Sequence, residues 1–249
     1  SITIIGPDLL EVQSIVSPTP YNGGYNVSCA GNNDGSIDIT LVGGASPFTY
    51  DWILSETSVG STEDLSNAAA GFYTVSITDA NSCTTTANIT LDEPEIFEIS
   101  GSALSHVMCN GDTIGAIDLT VIGGDTTSIY TYLWDNNNET TKDLVNLSAG
   151  TYTITITDNN SCEIIESFII TEPDLLSVSN LAAFEYSGDY NVSCFGFADG
   201  YVVPSVSGGS FPYSYQWTGP DNFSSSLSVP TGLTIGEYFI TVSDANGCS

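Results

Sequence analysis

The chain has 249 residues, with one Lys, no Arg and one His against 30 acidic residues, and its formal net charge is -29. This charge excludes nucleic acid and anionic lipid surfaces as partners, because almost no cationic side chain is present to displace their counterions. Hydrophobic residues reach 41%, but no apolar run of about 18 residues occurs, so we expect no direct membrane insertion and place targeting segments outside this sequence.

Three similar segments follow one another along the chain. The opening ITIIGPDLL around Pro7 matches LDEPEIF around Pro94 and ITEPDLL around Pro173, and these matches predict joints between domain-sized units. The predicted bounds are 7–93 for repeat 1, 94–172 for repeat 2 and 173–249 for repeat 3. Residues 1–6 are predicted to be the last strand of a preceding repeat, and repeat 3 is expected to lack its own last strand.

Within each repeat the patterns are those of short strands. Ile37, Ile39 and Leu41 alternate with polar residues, which is the period of a strand with one buried face. A double glycine then predicts a turn, and the next strand carries Tyr-x-Trp. In repeat 3 the alternation breaks at Pro204, which has no amide to donate, so we expect an edge or a bulge there.

A later strand in each repeat begins with Gly-x-Tyr and alternates again. Val, Ile, Tyr and Thr dominate the apolar positions, and no stretch favours a long helix, so the fold class is all-β. A Trp on the third strand and a Tyr opening the sixth are core marks of immunoglobulin-like sandwiches, the Tyr resembling a tyrosine corner. The sequence therefore predicts tandem immunoglobulin-like β-sandwich repeats that form an elongated rod. The predicted core residues are Trp52, Trp134, Trp217, Tyr73, Tyr152 and Tyr238.

Each repeat contains two cysteines, which we interpret as structural disulfide partners. They are Cys29, Cys83, Cys109, Cys162, Cys194 and Cys248. The nearly constant spacing inside a repeat favours internal bridges, such as Cys29 with Cys83, while pairing between neighbouring repeats stays open. Zinc is disfavoured because short C-x-x-C spacings are absent and the single His106 occurs in one repeat.

Acidic turns stand beside both cysteines and raise two alternatives. If an internal bridge brought the two turns together, their oxygens could coordinate Ca²⁺. The other interpretation is that Asp, Asn and Gly form ordinary turns, so no cofactor is required. The candidate calcium ligands are Asp34, Asp79, Asp199 and Asp244.

No catalytic constellation is evident in the sequence. A Ser nucleophile would need His106, and an oxyanion or phosphate site would usually want a cation, of which only Lys142 exists. Paired carboxylates would need a cleft that shields one acid, which compact sandwich repeats rarely supply. We therefore expect a protein that is not an enzyme.

The combination of S-C-x-G-x-x-D-G, the double glycine, Y-x-W, G-x-Y-x-[VI]-x-[IV]-x-D-x-N-x-C and L-x-E-P resembles the SprB repeat of Bacteroidetes surface proteins. The resemblance implies a very long secreted adhesin at the cell surface, exported by type IX secretion and serving gliding motility together with other surface-machinery proteins. The expected function is that of an adhesin shaft. The alternative is a set of glycan- or protein-binding modules on the loops that differ most between repeats, at residues 53–64, 135–143 and 218–227.

The same resemblance implies a modification. Bacteroidetes O-glycosylate Asp-Ser/Thr followed by an aliphatic residue or Thr, and two segments fit this pattern at Thr113 and Thr126. Such dipeptides are common in a Thr-rich chain, so these two residues are candidate sites only.

Overall fold

The computed structural model describes residues 1–18, 20–127 and 129–249, and in them the fold is all-β, as predicted. The chain forms two compact units. The first comprises residues 1–102, 119–142 and 153–167, and the second comprises residues 103–118, 143–152 and 168–249. Repeat 2 contributes to both units, and the predicted repeat bounds remain a prediction.

Repeat 1 contains seven strands in two antiparallel sheets. The sheet orders are β1-β2-β5 and β4-β3-β6-β7, the arrangement of an immunoglobulin-like sandwich. A short 3-10 turn at Asn22–Gly24 follows the first strand. The strands are β1 (Glu11–Val16), β2 (Gly35–Val42), β3 (Thr49–Leu54), β4 (Thr57–Gly60), β5 (Leu65–Ala68), β6 (Gly71–Thr78) and β7 (Thr84–Leu91).

Repeat 2 shows the same order of strands in its two sheets, β11-β9-β8 and β10-β12-β13. Its strands are β8 (Glu95–Ser105), β9 (Gly115–Gly124), β10 (Thr131–Trp134), β11 (Leu144–Leu147), β12 (Gly150–Thr157) and β13 (Glu163–Ile170). Strand for strand, β12 and β13 correspond to β6 and β7 of repeat 1, so the sequence repeat is also a topological repeat.

Repeat 3 has the sheets β14-β15-β18 and β17-β16-β19, and a second 3-10 turn at Pro220–Asn222. In the described part of the chain, β19 pairs with β16 alone, whereas β6 and β12 each have a neighbour on both sides. The strands are β14 (Ser177–Ala183), β15 (Gly200–Ser207), β16 (Ser214–Thr218), β17 (Ser224–Ser225), β18 (Thr231–Leu233) and β19 (Phe239–Ser243).

The core of repeat 1 lies between its two sheets. The inward residues of β2, Ile37 and Ile39, pack with Trp52 of β3 and with Val75 and Ile77 of β6. All five side chains are buried, as the alternating pattern predicts. Burial of each such side chain contributes about 1.5 to 3 kcal/mol, so this core carries most of the stability of the sandwich.

The double glycines are required by a close approach of the backbone. A Cβ atom on Gly43 would lie 2.0 Å from the carbonyl oxygen of Leu9, and Gly43 has a φ of +69°. The equivalent distance is 1.8 Å at Gly123 and 2.0 Å at Gly208. A side chain cannot be accommodated at these distances, which fixes the backbone where the second strand of each repeat ends.

Pro204 lies in β15 at a position where a neighbouring strand pairs on one side only. Strand β15 is central in its sheet, but β18 pairs only with Gly200 and Tyr201. At Pro204 the sole neighbouring strand is β14, through Leu181, and β14 has an irregular register before that pair. The missing amide therefore interrupts no hydrogen-bond ladder on a second side.

Residues 1–6 lie in no strand, and Ile2, Ile4 and Ile5 are almost fully exposed. Their assignment to the last strand of a repeat stays a prediction. Over the described ranges, none of the helical segments has the length and apolar character needed to cross a membrane.

Candidate functional site: the joint between repeats

The turn before each second cysteine is organised by one aspartate. In repeat 1, Oδ1 of Asp79 accepts hydrogen bonds from the amides of Asn81 and Cys83, both at 2.8 Å, and Oδ2 accepts one from the amide of Ala45 at 3.0 Å. The carboxylate thus closes its own turn and ties it to the residue after the double glycine. Its charge-assisted bonds rigidify the loop that presents Cys83.

The same arrangement recurs in the other two repeats. Oδ1 of Asp158 accepts the amide of Cys162, and Oδ1 of Asp244 accepts the amide of Cys248, both at 2.9 Å. In each case Oδ2 again accepts an amide that follows the double glycine, at 2.7 Å and 2.8 Å respectively. The D-x-N-x-C motif therefore forms a rigid turn that positions the second cysteine of each repeat.

The first cysteine of each repeat has a different support. Oδ1 of Asp34 accepts the amide of Ser28 at 3.0 Å and its Oδ2 accepts the Ser28 hydroxyl. Asp199 holds Ser193 in the same way, with 3.1 Å to the amide. In repeat 2 no serine precedes Cys109, so this support is absent there.

The glutamate of the L-x-E-P motif reaches back to the first cysteine turn of its own repeat. Oε2 of Glu93 accepts the amide of Gly31 at 2.6 Å, and Oε2 of Glu172 accepts the amide of Gly111 at 2.7 Å. These bonds place the end of each repeat beside the turn that carries its first cysteine. They give the motif a structural role that its sequence alone does not reveal.

The disulfides connect consecutive repeats, and the predicted internal pairing is wrong. Cys29 of repeat 1 is bonded to Cys162 of repeat 2, with Cα atoms 5.8 Å apart. Cys109 of repeat 2 is bonded to Cys248 of repeat 3, with Cα atoms 5.6 Å apart. In an immunoglobulin-like sandwich the two turns of one repeat are separated by the length of the strands, and the joint brings together the turns of successive repeats instead.

Hydrogen bonds flank each bridge. Beside Cys162, the amide of Asn22 donates to Oδ1 of Asn160 at 2.9 Å, and the Asn160 side chain donates back to the Asn22 carbonyl at 3.2 Å. Beside Cys248, the side chain of Asn246 donates to the carbonyl of Met108 at 2.9 Å. The Asn of D-x-N-x-C thus contacts the preceding repeat at both joints.

Two cysteines remain as exposed thiols, Cys83 of repeat 1 and Cys194 of repeat 3. Each stands in a turn supported as in the bonded cases, by Asp79 and by Asp199 respectively. The disulfide role predicted for these two cysteines stays a prediction.

Five of the six predicted core residues are buried, and Tyr238 is half-buried. The three Trp side chains are buried, and the indole N–H of Trp52 donates to the carbonyl of Thr62 at 2.9 Å, with equivalent bonds from Trp134 and Trp217. The three Tyr hydroxyls donate to the carbonyl four residues upstream, which is the geometry of a tyrosine corner. These pairs are Tyr73 with Ala69, Tyr152 with Ser148 and Tyr238 with Thr234.

Comparison with known families identifies the repeated unit. The sequence profile of the SprB repeat matches three times, at residues 16–57, 102–139 and 190–222. The chain carries SprB repeats. Each match includes the first cysteine, the double glycine and the Trp strand, which are also the residues that carry the resemblance in the sequence. No curated protein matches the chain.

Several solved structures resemble this chain distantly. Three N-terminal domains of the bacteriophage RB49 outer capsid protein Hoc are 16% identical, with a TM-score of 0.42 over 93% of this chain and 86% of that one. Domains 3–5 of Drosophila OTK are 11% identical, with a TM-score of 0.29 over 86% and 89%. Bacteroides ovatus SGBP-B, solved with a mixed-linkage heptasaccharide, is 11% identical, with a TM-score of 0.24 over 97% and 93%.

The calcium hypothesis depended on an internal bridge that the SprB repeats here do not form. Because Cys29 and Cys83 are not bonded to each other, the two acidic turns of repeat 1 are not joined as that hypothesis required. In the part of the chain that the structure describes, no group of three or more His, Cys, Asp or Glu is arranged to hold a metal ion. The four carboxylates serve as turn acceptors: Asp34, Asp79, Asp199 and Asp244.

Hydrogen bonds shift the acidity of these carboxylates. The amide of Cys83 is the main cause that holds the pKa of Asp79 below its ordinary value, and the amide of Ser210 has this part at Asp244. The Ser193 hydroxyl lowers the pKa of Asp199. At Asp34 burial acts in the raising direction, but the hydroxyl and amide of Ser28 together with Tyr21 lower its pKa overall. All four are therefore stabilised in the charged form.

The rare cationic groups have structural partners. Nδ1 of His106 accepts the amide of Thr171 at 3.1 Å, and Nζ of Lys142 donates to the carbonyl of Leu119 at 2.6 Å. Both bonds lie inside repeat 2. Each bond gives its residue a structural role within that repeat.

The candidate glycosylation residues Thr113 and Thr126 are both exposed on loops. Asp112, which precedes Thr113, is also exposed, whereas Asp125 is buried and its Oδ1 accepts the amide and hydroxyl of Thr127. The Asp-Thr pair at Thr113 is thus the more accessible of the two. Glycosylation at either residue stays a prediction.

Sequence reasoning missed the pairing across repeats. The spacing signal was ambiguous, because bridges between successive repeats also have similar separations, 133 and 139 residues. The signal that could have indicated the joint was geometric. The two cysteines of a repeat lie near opposite ends of its strands. This distance is too large for a disulfide between them.

Proposed function

We propose that this chain is a segment of the load-bearing shaft of a very long secreted adhesin at the bacterial cell surface. SprB repeats belong to cell-surface proteins, and the chain is a repeat segment of a surface adhesin. The finer proposals are the shaft role, export by type IX secretion and use in gliding motility. The structure supports the shaft role through the covalent joints between repeats.

The bridges Cys29–Cys162 and Cys109–Cys248 carry this proposal. Each closes a loop longer than a whole repeat, and in the chain-entropy model such a loop contributes about 5 kcal/mol to the folded state. More important for a shaft, a bridge between repeats transmits tension past the strands of a sandwich. A chain that only presented binding loops would have no need of it.

The charge of the chain supports the same role. With 30 acidic residues and one Lys, neighbouring repeats repel one another and other copies, which favours an extended and soluble array. The role is structural and not catalytic, since the organised carboxylates accept backbone amides and His106 accepts the amide of Thr171. No cofactor is needed for it.

The second candidate function is ligand binding by the variable loops. These loops differ in backbone as well as in sequence: the first contains β4, whereas the third contains the 3-10 turn and β17. Three different loops do not make one repeated site. An extracellular surface, a glycan or another surface-machinery protein remains the proposed type of partner for the adhesin.

Attachment under flow tests the shaft role. Cells of the source bacterium would carry the adhesin with Cys29→Ser and Cys162→Ser together, and a control strain would carry Ser102→Ala at an exposed strand position. We expect the double variant to reach the surface but to detach at lower shear and to glide less well. Unchanged shear resistance would count against load bearing, and saturable binding of the purified chain on a glycan array would favour the loop modules.

A further inference from the structure

A groove with a volume of about 750 Å³ runs along the first joint, beside the Cys29–Cys162 bridge, and we call it the joint groove. Repeat 1 contributes residues 29–32 and Glu93, and repeat 2 contributes Ile96, Phe97 and residues 161–163. All of these residues belong to the first compact unit. The two repeats thus build one concave surface together, of the size that proteins use to bind small ligands.

The apolar part of the joint groove is formed mainly by Ile96, whose side chain is 70% exposed. Its neighbour on β8, Phe97, is half-buried, and the centroid of its ring lies 5.2 Å from that of Tyr130. Leu175 holds the position of Ile96 after the proline of the second joint and is 66% exposed. A large aliphatic side chain is therefore exposed at the same position of both joints, where it contributes little to a core.

The polar part of the joint groove is acidic. Glu93 and Glu163 are both exposed, and they line the groove from different repeats. Oε2 of Glu93 accepts the amide of Gly31, which fixes this carboxylate at the groove, and Glu172 is held in the same way at the second joint. The whole chain has one Lys and no Arg. A cation that pairs with these glutamates is therefore expected to come from another molecule.

The backbone at Ile96 is fixed by the double glycine of repeat 2. A Cβ atom on Gly123 would lie 1.8 Å from the carbonyl oxygen of Ile96, so the two backbones are in close contact. The hydroxyl of Tyr130 donates to the carbonyl of Gly123 at 2.7 Å and holds this glycine in turn. The joint groove is thus formed before a ligand arrives, and a preformed site loses little conformational entropy on binding.

An exposed aliphatic side chain beside two carboxylates selects a ligand that is both apolar and cationic. Arg and Lys side chains have this character, because an apolar methylene stem leads to a charged head. Arg can also bond one carboxylate through two parallel N–H groups. The formal net charge of -29 attracts such a ligand to the chain from a distance. A simple metal cation would satisfy the glutamates but would leave Ile96 exposed.

We propose that the joint groove binds a basic and partly apolar peptide segment of a partner protein. An Arg or Lys of that segment pairs with Glu93 and Glu163, and an adjacent aliphatic side chain covers Ile96. Glu172 and Leu175 provide the same two kinds of group at the second joint, so a partner with several basic segments gains avidity from successive joints. This binding does not depend on the shaft role proposed above.

The first test uses the purified chain with both bridges intact and with isotope-labelled isoleucine methyl groups. The probe is a hexapeptide amide of alternating Leu and Arg, titrated at about 0.15 M salt and followed by NMR. The methyl signal of Ile96 should shift in a saturable way, whereas that of Ile169, which is exposed outside the groove, should not. An unmoved Ile96 signal would overturn the proposal.

Two further probes separate the proposed ligand from other cations. A hexapeptide of alternating Ser and Arg has the same charge and should bind about tenfold more weakly, because it has no aliphatic side chain to cover Ile96. Equal affinity of the two peptides would attribute binding to unspecific attraction and overturn the proposal. A hexamer of glucosamine represents a cationic glycan, and tighter binding of this hexamer than of the Leu–Arg peptide would overturn the choice of a peptide.

The second test measures fluorescence anisotropy of the labelled Leu–Arg peptide with variants of the chain. All variants carry Leu175→Ser, which removes the apolar contact at the second joint. In this background Ile96→Ser should raise the Kd about tenfold and Glu163→Gln about threefold. The matched controls are Ile169→Ser and Glu98→Gln, which make the same changes at exposed positions outside the groove and should leave the Kd nearly unchanged. Equal effects of the groove variants and their controls would contradict binding in the joint groove.

Discussion

Reducing the two disulfides should roughly triple the length to which a single unfolded chain can be pulled. With both bridges intact, the shortest covalent path runs from Ser1 to Cys29, across to Cys162, back to Cys109 and across to Cys248. That path contains about 80 residues of peptide, which spans about 290 Å at ~3.5 Å per residue. After reduction all 249 residues carry the load, and the same rise gives about 870 Å.

The measurement is single-molecule stretching between two DNA handles attached at the ends of the chain, with and without a phosphine reductant. The variant Cys29→Ser with Cys162→Ser supplies an intermediate case, because the path then runs directly from Ser1 to Cys109. Its limit should be about 380 Å, from roughly 110 residues at ~3.5 Å each. A limit near 870 Å before reduction, or no change on reduction, would refute the bridges between repeats as carriers of tension.

Three further predictions concern stability and modification. Trp52→Ala should lower the free energy of unfolding by about 3 to 5 kcal/mol in urea denaturation, whereas Phe72→Ala at an exposed position of β6 should change it by less than about 1 kcal/mol. The lowered pKa of Asp79 means that its charged form stabilises the fold above the unfolded-state pKa of about 4 and that this contribution disappears as the pH falls through the lower folded-state value. Asp79→Asn should therefore lower the melting temperature at pH 7 and flatten its decline below about pH 4, and an unaltered decline would contradict this role. The intact mass of protein from its native source should exceed the polypeptide mass if Thr113 or Thr126 is glycosylated. Loss of the extra mass in Thr113→Ala or in Thr126→Ala would identify the modified residue. An intact mass equal to that of the unmodified polypeptide would contradict the prediction.

The sandwich could be predicted from the sequence because its signals are local. The alternation of Ile37 and Ile39 follows from the pleat of one strand, and the Trp and Tyr positions follow from the burial of single large side chains. The turn glycines are similarly local, since the space for a side chain at Gly43 depends on one neighbouring carbonyl. Such features are expected in any strand of this length that packs one face against a core.

The joint could not be predicted in the same way. In a tandem repeat, equivalent cysteines recur at similar intervals. The separation of the two cysteines within a repeat is therefore nearly constant along the chain, and so is the separation of bonded cysteines in successive repeats. Spacing alone cannot decide whether Cys29 pairs with Cys83 or with Cys162. The choice depends on which turns lie at the same pole, which is a property of the folded repeats. The calcium hypothesis loses its premise with it, because the proposed meeting of two acidic turns rested on the wrong bridge, and calcium binding itself stays a prediction.

The two bridges overlap in sequence between Cys109 and Cys162, and this overlap has a consequence for survival outside the cell. Every peptide bond from Cys29 to Cys248 lies inside at least one disulfide loop. A protease that cuts an exposed loop once, for instance beside the exposed Ile129, therefore leaves the two fragments attached to each other. The strand pairs and the bridges would hold such a nicked chain together, so a single cleavage does not sever whatever the chain connects until the disulfides are also reduced.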